Sequence, residues 1–534
     1  MRFDMKMWKL RGAVSMVAFI TGALVLSAQE MTTVRATPST MPKLGTVDSR
    51  FVSYNVEMVE VTGGRFWKPY KSTAAASTPP VSPSQGNQQV GIDTTRFQYR
   101  PPIDLANPKL RKLAAALGPS YVRVSGSWAN STYFQDDDNP APAAPPKGFG
   151  GVLTRAEWKG VIDFARAVND QIVTSFAISA GVRDADGVWA PAQAKAFLDY
   201  TKSIGGSIAA TEFMNEPTFP GPGGAPAGYD AAAFAKDAKL FEPFLRRESP
   251  KTFYLGPGSV GGVGEGGPHS AGAGMGIKLV GTEDIMKGTG PVFDAFSYHF
   301  YGGVSRRCMG NTNADKALTA TWLDFSGIVA DYYGKIRDQY LPGKPLWLTE
   351  TAEAACGGDP LAGQFVDTFR YLNQLGSLAQ KGVVSVMHNT LASSDYGLLD
   401  EDTLEPRPDF WAALLWKHTM GDVVLDPGVP KTESLRIYAH CSKDGKGAVT
   451  LVALNIDTEH EQMLALPVPA EELSLTAPDL ASTTVMLNGR ELKAGSDGSI
   501  GALETNEVKK GLIRLAPSSV TFLTLRSAHN KSCM

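Results

Sequence analysis

Apolar side chains recur along this 534-residue chain in two alternating periods. Short runs able to bury both faces fall at residues 51–56, 121–124, 172–178, 208–214, 252–255, 293–299, 346–349 and 383–387, and they predict eight strands. Between them the period lengthens to that of a helix. Asn107 and Pro108 read as an N-cap with proline at the first helical position, and Leu110, Leu113, Ala114 and Leu117 follow at i, i+3, i+4 and i+7. Thr154 to Glu157 is a capping box opening a helix that turns Trp158, Val161, Ile162 and Ala165 inward. Pro191 opens the next helix, and residues 409–418 form the last amphipathic one.

Eight β-α repeats predict an α/β fold, a (β/α)8 TIM barrel over residues 49–421, with its chemistry at the C-terminal tips of the strands. From Asp422 the pattern changes to short alternating runs at 434–441, 448–456, 483–487 and 520–526, with Asn488-Gly489 as a hairpin turn. This predicts a C-terminal β-sandwich domain over 422–534. No strand tip there collects carboxylates, so the sandwich reads as support.

Ahead of the barrel, Lys6, Lys9 and Arg11, the apolar run 13–26 and the small pair Ser27-Ala28 have the layout of a secretory signal peptide over 1–28. An exported protein is expected, secreted or periplasmic, without membrane association after cleavage. Residues 29–48 are a lead-in with the option of lending a strand to the sandwich, and 71–92 and 136–147 read as surface loops. Gly256-x-Gly258-x-x-Gly261 follows a strand, but more glycines come next instead of a helix. The dinucleotide-binding context is absent, and the run reads as a flexible loop. No cofactor and no metal is expected.

Charge narrows the partners. Fifty-one Lys and Arg against 54 Asp and Glu give a net charge of −3, which leaves no basic footprint for nucleic acid and no polybasic membrane patch. The four cysteines, Cys308, Cys356, Cys441 and Cys533, allow three pairings and show no zinc-type spacing. The sequons Asn130-Ser131-Thr132 and Asn530-Lys531-Ser532 matter only in a host that reads them. Oligomeric state is left open.

Two stretches carry the candidate chemistry. Thr211-Glu212-Phe213-Met214-Asn215-Glu216-Pro217 is a strand ending in a carboxylate, with an amide before it and a helix-breaking proline after. Pro345-Leu346-Trp347-Leu348-Thr349-Glu350 has the same form and leads to the Gly357-Gly358 turn. Either glutamate alone reads as an ordinary solvated strand end. Two of them, at the tips of strands 4 and 7 of one barrel, are the pair that a glycosidase needs.

Met214-Asn215-Glu216-Pro217 with a glutamate on strand 7 resembles the clan A retaining glycosidases. Further stretches resemble glycoside hydrolase family 79, the heparanase and β-glucuronidase family: Val122-Arg123-Val124-Ser125-Gly126, Tyr298-His299-Phe300-Tyr301, residues 346–358, Asp395-Tyr396-Gly397-Leu398, Arg407-Pro408-Asp409-Phe410-Trp411 and residues 435–441. Cys356 and Val59 depart from the heparanase pattern.

The resemblance implies hydrolysis of β-linked glucuronic acid in glycans or glycoconjugates, with Glu350 as nucleophile and Glu216 as acid/base. Asn215 is then expected to bind the sugar 2-hydroxyl, and His299 and Tyr301 to donate to Glu350. Gly357, Gly358 and Tyr396 are expected to receive the uronate carboxylate, and Glu57 to accept from sugar hydroxyls. Alternatives are a heparanase-like endo-β-glucuronidase, or an arabinofuranosidase, β-xylosidase or β-glucosidase of the same clan. Cys441 and Cys533 flank the sandwich and are expected to pair, and Cys308 with Cys356, after neighbouring strands 6 and 7, is the second candidate bridge.

Overall fold

The computed structural model describes residues 33–70, 94–221, 223–261 and 279–534. The leader expected over 1–28, the loop expected over 71–92 and the glycines beyond Gly261 lie outside the described residues. Eight parallel strands close into a barrel: β1 (Val52–Glu57), β2 (Tyr121–Ser125), β3 (Gln171–Thr174), β4 (Ile208–Thr211), β5 (Phe253–Val260), β6 (Ala295–Val304), β7 (Leu346–Ala355) and β8 (Val383–His388). Eight helices alternate with them: α1 (Pro108–Ala116), α2 (Arg155–Ala167), α3 (Ala192–Ser203), α4 (Ala231–Glu248), α5 (Thr282–Thr289), α6 (Ala320–Tyr340), α7 (Phe365–Gln380) and α8 (Pro408–Thr419). The α1 cap is the expected one, since Asn107 accepts from the backbone of Lys109 and Leu110. The Thr154–Glu157 box closes in both directions.

Successive inward-facing residues divide the barrel interior into two layers. Tyr121, Val173, Ala210, Leu255, Ala295, Trp347 and Met387 plug the N-terminal end as an apolar cluster. One pleat higher, two residues on, stand Arg123, Glu212, Ser297 and Thr349, all buried and all polar. The floor is apolar, and the charges sit toward the C-terminal mouth, where a TIM barrel keeps its chemistry.

Three details of the strands differ from the reading of the sequence. β3 and β4 end at Thr174 and Thr211 rather than at 178 and 214, because the chain leaves the ladder and bonds crosswise, Phe176 N–H to Phe213 O at 3.1 Å. Gly256 and Gly258 belong to β5 and not to a loop; a Cβ on Gly256 would lie 2.1 Å from the Phe293 ring. Only Met486 and Leu487 of residues 483–487 are strand, and they pair with Arg490–Glu491 through the Asn488-Gly489 turn, where both φ angles are positive.

After α8 the chain passes into a nine-stranded sheet, whose main strands are β9 (Met420–Leu425), β10 (Leu435–Ser442), β11 (Val449–Asn455), β12 (Ala470–Thr476) and β13 (Ser519–Leu525). Lys43–Thr46 adds an edge strand beside β9. Both faces of this sheet are buried: Tyr438, Val452, Leu454, Val520 and Phe522 join the core of the barrel. Ile437, Ala439, Leu451, Ala453 and Leu523 face the other way, in a second core shared with a three-stranded sheet of Thr33–Arg35, Gln462–Leu466 and Gly511–Leu515. Disulfides join Cys441 to Cys533 and Cys308 to Cys356. Among the described residues no helix is long and apolar enough to cross a membrane. Asn130 and Asn530, the two sequon asparagines, are 0% and 1% exposed and spend their side chains on internal hydrogen bonds, so neither presents a glycosylation site.

Candidate active site

Glu350 is aimed by an irregularity in β7. Trp347 and Thr349 point into the barrel, so simple alternation would turn Glu350 outward. The β6–β7 register shifts between Tyr298 and His299, which pairs His299 with Glu350 and brings the carboxylate inward as well. Glu216 is reached differently: it lies five residues past the end of β4, in the left-handed region at φ 50°, a conformation that costs a non-glycine residue energy and collects at functional sites. One ligating atom each of Glu216, His299 and Glu350 lie within 4.8 Å of one another. The Arg123 guanidinium already supplies positive charge beside them, 2.8 Å from Glu350 Oε2 and 3.2 Å from His299 Nε2.

The two carboxyls are pushed in opposite directions. Burial raises Glu216 above the usual carboxylate range, and the charge of Glu350 adds to the rise, outweighing the hydrogen bond from His299. Burial acts on Glu350 too, but His299, Arg123 and the Tyr301 hydroxyl overcome it and hold that carboxyl below its ordinary value. The two shifts run in the directions that a double displacement asks of its acid and its nucleophile, up for Glu216 and down for Glu350.

The remaining candidates gather around this pair. Tyr301 donates to Glu350 Oε1 at 2.5 Å, as expected. His299 does not take up Glu350 first: its Nδ1 lies 3.0 Å from Glu216 and 3.7 Å from Glu350. Asn215 accepts from Arg123 Nη2 at 2.8 Å, and Asn130 fixes its backbone from both sides, so the amide is oriented before any sugar arrives. Glu57 is buried beneath the site. Its Oε1 accepts from Asn389 at 3.0 Å, and its Oε2 packs where a Cβ on Gly126 would have stood, 1.4 Å away, so it acts on the pocket through Asn389.

Gly357 and Gly358 both have positive φ and lie against Ser394 and Tyr396, where a side chain would collide with either. The Gly358 N–H is already bonded to Ala354 O at 3.2 Å. The Gly357 N–H has no partner among the described residues. The Tyr396 hydroxyl accepts from Asn389 Nδ2 at 3.2 Å, and burial pushes its acidity far out of reach of neutral pH, so its proton stays available for donation.

Four participants have no assigned role in the sequence reading: Arg123, Glu212, Asn389 and Arg307. Arg123 and Glu212 could have been found by counting two residues inward from a strand's apolar floor. Asn389 is a hub that reaches Glu57, Tyr301 and Tyr396, and no motif marks it. Arg307 packs beside Gly357 and is neutralised by Asp395.

Barrel, sandwich and an acid–carboxylate pair at the tips of strands 4 and 7 define a glycoside hydrolase. No family model matches the chain. A hyaluronoglucuronidase of Hirudo nipponia is 26% identical over 481 residues, spanning 81% of this chain and 92% of that protein. The heparanase of Mus musculus is 27% identical over 492 residues, 80% of this chain and 88% of that one. Among solved structures, the thermostable GH51 α-L-arabinofuranosidase of Thermotoga petrophila shares the fold with a TM-score of 0.62 at 13% identity, over 92% of this chain and 99% of that one. The chain is a homologue of the heparanases and heparanase-like proteins over about four-fifths of its length.

Proposed function

We propose that this protein is a retaining β-glucuronidase that releases or cleaves at β-linked glucuronic acid in glycans or glycoconjugates, exported to an oxidising compartment. The observation that carries the substrate is the pairing of the Tyr396 hydroxyl, oriented by Asn389, with a Gly357 N–H that has no partner among the described residues. It offers neutral donors to a carboxylate at C6. Homologues named for glucuronidase and heparanase activity support the same reading. Two disulfides support the compartment.

Glu350 attacks the anomeric carbon while protonated Glu216 gives its proton to the leaving oxygen, forming a glycosyl-enzyme. Glu216, now a carboxylate, takes a proton from water, which attacks the same carbon and releases Glu350. Oxygens of the two groups within 4.8 Å favour this course, since inversion needs carboxyls about 6.5–9.5 Å apart to admit a water. Asn215, held by Arg123, meets the 2-hydroxyl as positive charge develops on the ring.

Hydrolysis of p-nitrophenyl β-glucuronide, β-xyloside and α-arabinofuranoside tests the substrate. The glucuronide is expected to exceed the others by orders of magnitude in kcat/KM. A preference for the xyloside or the arabinofuranoside would move the protein to another branch of the clan.

A further inference from the structure

Glu212 takes no part in the reaction proposed above, yet both of its carboxylate oxygens accept two hydrogen bonds each. It is 0% exposed. Oε2 accepts from Arg123 Nη2 at 2.8 Å and Nε at 3.3 Å, and Oε1 accepts from Ser297 and Thr349 hydroxyls, each at 2.8 Å. His299 Nε2 lies 3.8 Å from Oε1. Gly258 of β5 leaves the space: a Cβ there would stand 3.1 Å from Oε1, on a backbone at φ +76°. This carboxylate lies directly under two groups that address opposite members of the catalytic pair. Arg123 reaches Glu350 at 2.8 Å and His299 reaches Glu216 at 3.0 Å.

We propose that Glu212 is a positioning residue of this active site, a fixed negative charge that balances Arg123 and His299 and thereby sets how tightly the Glu216–His299–Glu350 set holds its proton. The inference rests on the roles given above to Glu216 and Glu350. The charged groups facing Glu212 are Arg123 from β2, His299 from β6 and Glu350 from β7, with Glu216 on its own segment; Glu57 of β1 faces Arg123 from the other side. β3 and β5 present only the Thr174 carbonyl and Gly258.

His299 shows why the balance matters. Burial lowers its basicity, but Glu350, Glu212 and Glu216 prevail and lift it to about 9. Its Nε2 meanwhile stands 3.2 Å from Arg123 Nη2. A neutral ring accepts from Arg123 there; an imidazolium needs Glu212, 3.8 Å from Nε2, as its counter-charge. Glu212 is the group that makes the second state affordable beside a guanidinium. Because the three catalytic-layer groups are coupled, removing its charge lowers the proton affinity of the set whichever member carries the proton.

Glu212→Gln keeps the shape and deletes the charge. The basic limb of kcat/KM on p-nitrophenyl β-glucuronide is expected to move to lower pH by about one unit, with activity about tenfold down on that limb and recovering as pH falls. Glu212→Asp restores the charge and should return the limb toward the wild-type position. A purely structural role would lower kcat/KM by one factor at every pH, and an unmoved limb in folded Glu212→Gln overturns the proposal. Should that variant not fold, Ser297→Ala carries the test. It withdraws a donor from Oε1 and leaves the charge, so the limb should move the other way, up by a few tenths of a unit; no movement overturns the inference equally. Trapping with a 2-deoxy-2-fluoro-glucuronyl fluoride, followed by mass spectrometry of wild type, is read separately. Label absent from Glu350 defeats the assignment beneath the inference, whereas label on Glu350 with an unmoved limb defeats the inference alone.

Discussion

The Tyr301 hydroxyl donates to Glu350 Oε1 across 2.5 Å while accepting from Asn389 Nδ2 at 3.1 Å. Glu350, the proposed nucleophile, is thus held by a phenol that is itself oriented by the residue just past the end of β8. Tyr301→Phe deletes a charge-assisted hydrogen bond to an ionised carboxylate, worth roughly 1.5–3 kcal/mol. It should lower kcat/KM by about tenfold or more. The sign of the accompanying pH effect is fixed: a carboxylate that loses a donor becomes more basic, so the acidic limb, which reports ionisation of Glu350, should rise in pH. A lower kcat without that rise would mean that Tyr301 serves the sugar and not the nucleophile.

The roles of the two glutamates separate by chemical rescue. Glu350→Ala should abolish turnover. Glu216→Ala should lose about 10²–10⁴-fold on substrates with poor leaving groups, the usual worth of a general acid, and less on activated ones. Azide should accelerate Glu216→Ala on an activated glucuronide and yield a β-glycosyl azide of retained configuration. An α-azide from that variant would exchange the two assignments.

Glu216 and Glu350 are legible in the sequence because each ends a short apolar run, and burial of both faces is a local, period-based signal. The same logic yields the eight β-α repeats and most strand positions. What surrounds the pair is not local. Arg123 meets partners 89 and 227 residues away, and Asn389 reaches Glu57 across 332 residues. Neither contact leaves a periodicity. The orientation of Glu350 depends on a register shift against β6, which two parallel strands settle between themselves. Gly256 and Gly258 mislead for a physical reason: glycines usually punctuate loops, whereas here they admit the Phe293 ring and the Glu212 carboxylate against a strand.

The disulfides should have separable consequences. Cys441–Cys533 closes a separation of 92 residues around the sandwich, far from the catalytic tips. In the chain-entropy model its loss costs roughly 4–5 kcal/mol. Cys441→Ser with Cys533→Ser should therefore lower Tm and leave kcat nearly unchanged. Cys308–Cys356 spans 48 residues and immediately precedes Gly357. Cys308→Ser with Cys356→Ser should raise KM for the glucuronide by releasing the turn that presents the Gly357 N–H. Equal KM values in the two double variants would remove Gly357 from substrate binding.

Tyr396 tests the carboxylate itself. Tyr396→Phe leaves the ring and removes one donor, so kcat/KM for p-nitrophenyl β-glucuronide should fall about tenfold, while any trace activity on the β-glucoside should hardly change. Equal losses on both would show that Tyr396 only shapes the pocket.

Glu60 yields a prediction about stability. It lies in the short helix Met58–Thr62 at the top of β1, 3% exposed, accepting from the Glu57 backbone N–H at 2.7 Å and from Ser393 Oγ. Burial raises its carboxyl to about 7, more than these hydrogen bonds and the charge of Arg100 bring it down. In the unfolded chain it titrates near the ordinary glutamate value, about 4.3. A folded-state value above the unfolded one means that stability is fully present below about pH 4 and is lost as pH rises through 7, by roughly 4 kcal/mol from this one group. Glutamine fits the same contacts, its Oε1 accepting from Glu57 N–H and its Nε2 donating to Ser393, and it cannot ionise. Glu60→Gln should match wild type in urea denaturation at about pH 4 and exceed it at pH 8, with the difference growing between. A constant difference across that range would place the proton elsewhere in the Glu57–Glu60–Glu401 cluster.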